Sequence, residues 1–323
     1  MKEKQIHDVS GLLLNHSFKV SVCCGVRSCF DIMAKGDNMI LIIKVLNNIE
    51  GFTKANSLDI LWISKLLDAI PILIGDRMKS CELSDHVIYT RYSVHAMTCR
   101  TLESIFDSSR PVIRSIRGNY CVDVLPGALS AMRYELGMSL EKLAAELGIS
   151  KQTLYRCEHS DRITIDMLDK LVSLFKDNMG EDMFESFIKA YEIGDIRPDK
   201  DELKKYFILP SEIPAKQENI DRMDLKTEIA AELKDIGFFA MPTNAPFDVF
   251  AKERISLLTI INTDKRILKR KIEVVLNISE MIGSYSMCIT EHRDKNIDER
   301  VIYVTSSDLK EFKSAKDLIE SVL

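Results

Sequence analysis

The chain has 323 residues, of which 46% are hydrophobic and 29% charged, a composition typical of folded proteins and not of disordered ones. Its 13 glycines and 8 prolines are too few for a collagen-like or linker-dominated chain. The formal net charge of −5 argues against a protein that coats nucleic acid by charge alone, although it allows a local basic surface.

The sequence shows no sign of a membrane segment or a bound cofactor. The longest apolar runs, Met39–Ile43 and Ala69–Ile74, are far too short to cross a bilayer, and no signal peptide opens the chain. The eight cysteines and six histidines lack zinc-ligand spacing, and no phosphate-binding glycine motif is present. We therefore expect a cytoplasmic protein with reduced thiols, no metal site, no cofactor and no membrane partner.

Two parts of the chain share one order of sequence patterns. Phe30-Asp-Ile-Met-Ala-Lys35 reappears as Phe247-Asp-Val-Phe-Ala-Lys252, and Val87-Ile-Tyr89 reappears as Val301-Ile-Tyr303. Each part reads as a helix, short strands, a helix, two strands and a closing helix. The repetition predicts two copies of one α/β domain, at 1–108 and 222–323.

Hydrophobic patterns support several elements of these copies. The runs Ile40–Val45 and Leu257–Ile261 are apolar without alternation, apart from Lys44 and Thr259, and predict strands that are buried on both faces. The second copy opens with apolar residues at helical spacing, followed by Gly237 at the position of a helix-ending glycine. Those apolar residues are Leu225, Ile229, Leu233 and Ile236.

The middle of the chain has a different pattern. Residues 110–124 predict a short hairpin that turns at Gly118-Asn119, and 126–175 are helical throughout. Charged residues and three prolines then indicate a helix and a linker over 181–221. We therefore assign 109–180 to one domain, made of the hairpin and the helices.

Within the helical segment, two short helices are joined by a glycine. Ser139 is a candidate N-cap for the first helix, Gly148 makes the turn, and Ser150 is a candidate N-cap for a helix that begins at Lys151. On that second helix, Leu154 and Cys157 face the core of the domain, and the long polar side chains are left outside. This arrangement suits a helix that enters the major groove of DNA.

The string from Ser139 to Glu158, SLEKLAAELGISKQTLYRCE, resembles the helix-turn-helix of the phage Cro and CI repressor family. The resemblance covers about residues 126–175, with Ala144, Gly148 and Leu154 among the family positions. The larger arrangement, with a domain on each side, looks like a group of archaeal HTH-type transcriptional regulators. It implies a sequence-specific DNA-binding regulator of transcription, located in the cytoplasm and associated with the nucleoid.

The resemblance also assigns roles to individual residues. The positions that match base-contacting residues are Lys151, Gln152 and Arg156. The positions that match residues near phosphates are Ser139, Leu140, Ser150 and Thr153. Arg133 and Glu158 match a partly buried ion pair between the first helix and the recognition helix.

The predicted hairpin carries three arginines along its length, at Arg110, Arg114 and Arg117. They either extend the phosphate contact or form a solvated basic face.

The flanking copies resemble the PD-(D/E)XK endonuclease-like fold, in which two carboxylates and a lysine converge on a metal ion. The first copy offers Asp31 and Lys44, but Ile42 stands where the second carboxylate belongs. The second copy offers Asp248, with Thr259 and Ile261 in the corresponding places. Because each copy lacks the second carboxylate, we predict that neither cleaves DNA and that the protein is not an enzyme.

The expected fold class is therefore α/β plus all-α, with a central Cro/CI-like helical domain flanked by two related endonuclease-like α/β domains. One recognition helix reads too few base pairs to be selective, so we expect a homodimer on double-stranded DNA.

Two alternatives to this function stay open. The first is a metal-dependent nuclease or DNA-processing protein targeted by the helix-turn-helix, and the second is a scaffold whose helices only join two domains. Lys269-Arg270-Lys271 either touches DNA or is solvated.

Overall fold

The computed structural model describes residues 2–108, 113–116, 118–179, 207, 209–214, 224–261, 265–290 and 297–322. The chain forms two compact units. The first unit contains residues 1–74, 92–94 and 208–323, and the second unit contains 75–91 and 95–207. Of the expected linker over 181–221, all but residues 207 and 209–214 lies outside the described residues.

The elements are numbered in chain order. The helices are α1 (Lys2–Asn15), α2 (Lys54–Leu67), α3 (Cys99–Phe106), α4 (Ala128–Glu135), α5 (Leu140–Glu146), α6 (Lys151–Glu158), α7 (Ile165–Met179), α8 (Leu225–Asp235), α9 (Lys265–Ile282), α10 (Ser306–Glu311) and α11 (Ala315–Val322). The strands are β1 (Lys19–Val22), β2 (Ile32–Lys35), β3 (Ile40–Val45), β4 (Ala69–Ile74), β5 (Arg77–Met78), β6 (Cys81–Glu82), β7 (Val87–Arg91), β8 (Val94–Met97), β9 (Ile113–Ile116), β10 (Asn119–Asp123), β11 (Arg162–Thr164), β12 (Phe239–Pro242), β13 (Val249–Lys252), β14 (Ser256–Ile261), β15 (Tyr285–Thr290) and β16 (Val301–Thr305).

Two similar strand arrangements lie in the first unit. Strands β1, β2 and β3 pair antiparallel, and β3 then pairs parallel with β4. Strands β12, β13 and β14 likewise pair antiparallel, and β14 pairs parallel with β15, which pairs parallel with β16. Helix α2 connects the parallel strands β3 and β4, and α9 connects the parallel strands β14 and β15.

The continuous apolar runs are buried strands, as the sequence predicts. All six residues of β4 are buried, as are the last five of β3 and of β14. Lys44 is the charged residue in β3, and it is only 8% exposed. Its amine donates to the carbonyl oxygen of Ser28 at 3.0 Å and contacts Asp31, so its burial is compensated by polar partners.

The predicted opening helix of the second α/β segment is confirmed. Helix α8 begins at Leu225, and Gly237 follows its end with φ of +105°, a conformation that favours glycine. The amide of Phe238 donates to the carbonyl of Leu233 at 2.9 Å, which satisfies one of the last helical carbonyls.

The second unit contains the predicted hairpin and helices. Five of its strands follow the order β8-β7-β9-β10-β11, β5 and β6 form a separate pair, and α3 to α7 are its described helices. Asn119 pairs with Ile116 across the predicted turn at Gly118, so the hairpin is confirmed. The sequence did not predict β11, which follows α6 directly and pairs antiparallel with β10.

The structure suggests a different correspondence between the strands that follow α2 in the first α/β segment and those that follow α9 in the second. Strand β8 runs into Thr98, whose side chain caps α3, and β16 runs into Thr305, whose side chain caps α10. By this measure Val94–Met97, rather than Val87-Ile-Tyr89, corresponds to the strand at 301–305. Strand β7, most of β8 and helix α3 belong to the second unit, whereas the sequence assigns them to a domain at 1–108. No helix among the described residues is long and apolar enough to cross a membrane.

Candidate nucleic-acid interface

Helices α4 to α7 share one apolar core that fixes the position of α6. Leu129, Leu143, Ala144, Leu154 and Phe175 lie in this core, and each is at most 3% exposed. Ala144 allows the close approach of α5 and α6 because its side chain is small. Only Leu154 and Glu158 of α6 are buried, so most of that helix is open to a partner.

Serine side chains begin both helices of the motif, as predicted. The hydroxyl of Ser139 accepts from the amide of Lys142 at 3.2 Å, and that of Ser150 accepts from the amide of Thr153 at 3.1 Å. Between the helices, Gly148 has φ of +65°, which makes the tight turn. The caps leave other first-turn amides without helical partners, and such amides bind phosphate oxygens readily.

A buried ion pair ties α4 to α6. Arg133 Nε donates to Glu158 Oε1 at 2.6 Å, and Nη2 donates to Oε2 at 3.1 Å. Arg133 is 8% exposed and Glu158 5%, and a third donor of Arg133 reaches the carbonyl of Met138 at 3.2 Å. The hydrogen bonds to Glu158 raise the pKa of Arg133, so its guanidinium stays charged despite its burial.

The outer face of α6 carries the side chains that the sequence assigns to base contact. Lys151, Gln152 and Arg156 are all exposed. Tyr155 lies on the same helix, is 53% exposed, and stacks on His159 with a ring separation of 4.0 Å. The exposed face of α6 therefore includes the ring of Tyr155, to which the sequence assigned no role.

Lys151 has an acidic partner that the sequence reasoning missed. Its amine forms a short ion pair with Glu141 of α5, and both side chains are well exposed. The hydrogen bond from Lys151 lowers the pKa of Glu141, which keeps the carboxylate charged. DNA that contacts Lys151 would have to compete with this carboxylate.

Arg114, the described arginine of the predicted hairpin, is not solvated. Arg114 is only 7% exposed, and its Nε lies 3.3 Å from the carboxylate of Asp123, which also accepts from Arg162 at 3.0 Å. Both expectations for Arg114, phosphate contact or a solvated face, are therefore wrong, because its charge is buried and paired. Arg110 and Arg117 lie outside the described residues.

In the first unit, the Asp31 carboxylate lies between two lysines. Lys44 and Lys2 reach it at 3.3 and 2.9 Å, and the amide of Val45 donates to it at 2.8 Å. In a nuclease of this fold the aspartate faces a second carboxylate and a metal ion. Here the strand position two residues before Lys44 is Ile42, which is buried and cannot bind a metal.

The Asp248 carboxylate has an equivalent set of partners. The amide of Ile261 donates to it at 2.9 Å, Lys226 lies at 2.9 Å, and Lys271 of α9 forms a short ion pair with it. Burial alone would raise the pKa of Asp248, but the charges of Lys271 and Lys226 lower it below its ordinary value.

The strand register corrects the predicted match between these two sites. The amides of Asp31 and Asp248 donate to the carbonyls of Ile43 and Thr259, so Lys44 corresponds to Ile260 and not to Ile261. The position of Ile42 then corresponds to Leu258 and not to Thr259. The second site thus lacks a strand lysine, and its third charged group comes from a helix.

Among the described residues, no three carboxylate, histidine or cysteine side chains come together as a metal site would require. The cysteines are all free thiols, and Cys23, Cys29, Cys121 and Cys288 are buried.

Two protein-family models match this chain. The family described as helix-turn-helix matches residues 129–176, and the PD-(D/E)XK superfamily domain matches residues 2–112. A relative from Methanocaldococcus jannaschii, named "Putative HTH-type transcriptional regulatory protein", is 30% identical over 100% of this chain and 96% of its own. Relatives of the same name from Pyrococcus horikoshii and Methanococcus vannielii are 30% and 27% identical over at least 97% of both chains.

The chain belongs to this family of HTH-type transcriptional regulatory proteins. It is a DNA-binding regulator that carries a PD-(D/E)XK superfamily domain before its helix-turn-helix. No solved structure gives a significant match to the chain.

Four residues of the recognition surface and of the two aspartate sites were not predicted from the sequence as partners. They are Glu141, Lys2, Lys226 and Lys271. Lys271 lies in the basic run at 269–271, so its charge was visible, but nothing in the run distinguished a buried partner of Asp248 from a solvated lysine. Glu141 was visible only as an acid in the first turn of a helix.

Proposed function

We propose that the regulator reads its operator by placing α6 in the major groove, with Lys151, Gln152 and Arg156 on base edges. Gln forms paired hydrogen bonds with adenine, and Arg or Lys forms them with guanine O6 and N7. The observation that carries the proposal is the exposure of these three side chains on a helix anchored by Leu154 and Glu158. An anchored helix presents its long side chains in a defined register.

Contacts to phosphate would come from the starts of α5 and α6. The hydroxyls of Ser139, Ser150 and Thr153 are exposed, and Leu140 supplies a first-turn amide. In the free protein, Ser150 and Thr153 share a hydrogen bond of 2.8 Å between their hydroxyls, which phosphate can replace. These contacts would set the register of α6 in the groove without reading sequence.

Specific binding further requires two recognition helices. We infer a homodimer on a pseudo-palindromic operator, with half-sites about 34 Å apart, one turn of DNA. Selection of bound duplexes from a random pool tests this directly, because it reports sequence, symmetry and spacing together. The proposal fails if the selected pool shows no common sequence.

The ion pair between Glu141 and Lys151 offers a test of the proposed base contact by Lys151. We expect Glu141→Gln to increase operator affinity by about 1.5- to 5-fold, since the exposed carboxylate no longer holds Lys151. Fluorescence anisotropy with the selected operator measures the change. Glu146→Gln removes another exposed acid of α5 and is the matched control. Equal gains in the two variants would mean that only net charge matters.

We further infer that residues 224–322 form a second, related copy of the endonuclease-like domain and that neither copy cleaves DNA. The similar strand pairings and the equivalent partners of Asp31 and Asp248 support the relationship. The missing second carboxylate at each aspartate supports the absence of cleavage. Lys2 at Asp31, and Lys226 and Lys271 at Asp248, add positive charge where a nuclease binds magnesium.

With supercoiled DNA and magnesium, we therefore expect no nicking above the background of the buffer. Gel electrophoresis of the plasmid over several hours provides the measurement, and Asp31→Ala serves as the matched variant. If the parent nicks the plasmid and Asp31→Ala does not, the protein is a nuclease and the alternative reading is right.

A further inference from the structure

The first unit contains a cleft beside Asp248 that the proposed DNA contacts do not use. It has a volume of about 470 Å³, which is the size of a small-molecule site. Residues 25–29, from the loop after β1, line one side, and Asn244, Asp248 and the first turns of α9 line the other. The cleft thus lies between the two α/β segments of this unit.

The charge of the cleft is positive. Its described lining includes the cations Arg27, Lys226 and Lys271 and one acid, Asp248. The amine of Lys226 uses one donor on Asp248 and one on the carbonyl of Thr243 at 3.1 Å, and Lys271 uses one on Asp248. An ammonium group has three donors, so both lysines retain capacity for an anion. Arg27 is exposed and has no ion-pair partner among the described residues.

Three helices begin at this cleft. Asn56 in the first turn of α2, Lys226 in the first turn of α8 and Ile267 in the first turn of α9 all line it. The starts of helices carry partial positive charge, which adds to that of the three side chains. The lining is therefore positive from several directions.

Hydrogen bonds hold the two sides of the cleft together. The amide of Cys29 donates to the carbonyl of Asn244 at 2.7 Å, and the side chain of Asn244 donates to Asp59 at 2.7 Å. Arg270 Nε donates to the carbonyl of Cys24 at 3.1 Å. These bonds hold the backbone of the loop that carries Arg27 on the side of the cleft opposite Lys226 and Lys271.

From this arrangement we propose that the cleft binds a small molecule through a phosphate group, with Arg27, Lys226 and Lys271 as its donors. Arg pairs two donors with phosphate oxygens, and the two lysines supply point charges on the other side. Lys271 supplies positive charge of the kind that a metal ion supplies in a PD-(D/E)XK nuclease, so phosphate binding here needs no metal.

Calorimetric titration of the full-length protein with sodium pyrophosphate, at constant ionic strength and with a chelator present, tests the site. We expect saturable binding to one site per chain. Arg27→Gln should weaken it about tenfold or more, because it removes a charge-assisted hydrogen-bond pair without breaking an internal contact. Lys269 is exposed on α9, the helix of Lys271, but lies outside the cleft lining, so Lys269→Gln should leave the affinity within about twofold.

Three results would overturn the proposal. The first is the absence of saturable heat at millimolar pyrophosphate. The second is an equal loss of pyrophosphate affinity in Arg27→Gln and Lys269→Gln. The third is that Arg27→Gln loses affinity for a short non-operator duplex but binds pyrophosphate as the parent does. The last result would assign the cleft to the DNA backbone. Arg156→Ala, in the proposed recognition helix, should bind pyrophosphate as the parent does, so a failure of operator recognition remains distinguishable from a failure of this site.

Discussion

Replacing Arg133 by Met should lower the free energy of local opening of α4 and α6 by about 3–5 kcal/mol, because it leaves the carboxylate of Glu158 buried without its cation. Glu158 is 5% exposed, so water cannot replace the two hydrogen bonds that it loses. Native-state hydrogen exchange of the amides in these two helices measures the change within this unit, independently of the rest of the chain.

The double variant Arg133→Met/Glu158→Met is the control for that result. We expect it to recover most of the stability, since no charge is then buried, and to keep a loss of about 1 kcal/mol from the unpaired carbonyl of Met138. Should the double variant be as unstable as the single one, the pair itself, and not the stranded acid, would be the stabilising element. Arg156→Met, on the exposed face of α6, should change the opening energy by less than about 0.5 kcal/mol.

The second large effect concerns operator recognition. Gln152→Ala and Arg156→Ala should each cost about 1–3 kcal/mol of binding free energy per half-site, or about 5- to 150-fold in affinity, because each removes paired hydrogen bonds to one base. The loss should be confined to the selected operator, and the preference at one base position should relax. Competition between the operator and single-base variants, read by fluorescence anisotropy, measures both effects.

Two controls separate base reading from general charge. Thr153→Ala, a proposed phosphate contact, should weaken binding to all sequences by the same factor. Lys170→Ala removes an exposed charge of α7 and should change affinity little. If Gln152→Ala and Arg156→Ala leave the ranking of operator variants unchanged, α6 is not the recognition helix.

The two aspartate sites place similar charges around one carboxylate. In both, a strand amide donates to the aspartate, and a lysine near the start of the preceding helix contacts it. They differ in the third charged group, which is Lys44 on a strand in one and Lys271 on a helix in the other. The same balance of charge around one buried carboxylate therefore arises from different elements.

Local patterns were sufficient to predict the helix-turn-helix. Ser139, Gly148 and Ser150 act within four residues of their own positions, through helix caps and a turn, so their roles depend on neighbours that the sequence places beside them. The buried strands were predictable for a similar reason, because an uninterrupted apolar run has to exclude water on both faces. The hairpin at Gly118 followed from its turn residues.

Only the tertiary structure decided which distant charges meet. Arg114 is buried against Asp123 instead of facing solvent, Lys151 meets Glu141, and Lys271 meets Asp248 across 23 residues of chain. A charged residue shows no periodicity that reveals its partner, since ion pairs form between any elements that packing brings within reach. The sequence thus determined most of the elements and the proposed recognition helix, while the packing of those elements decided which cations pair with a carboxylate of the protein.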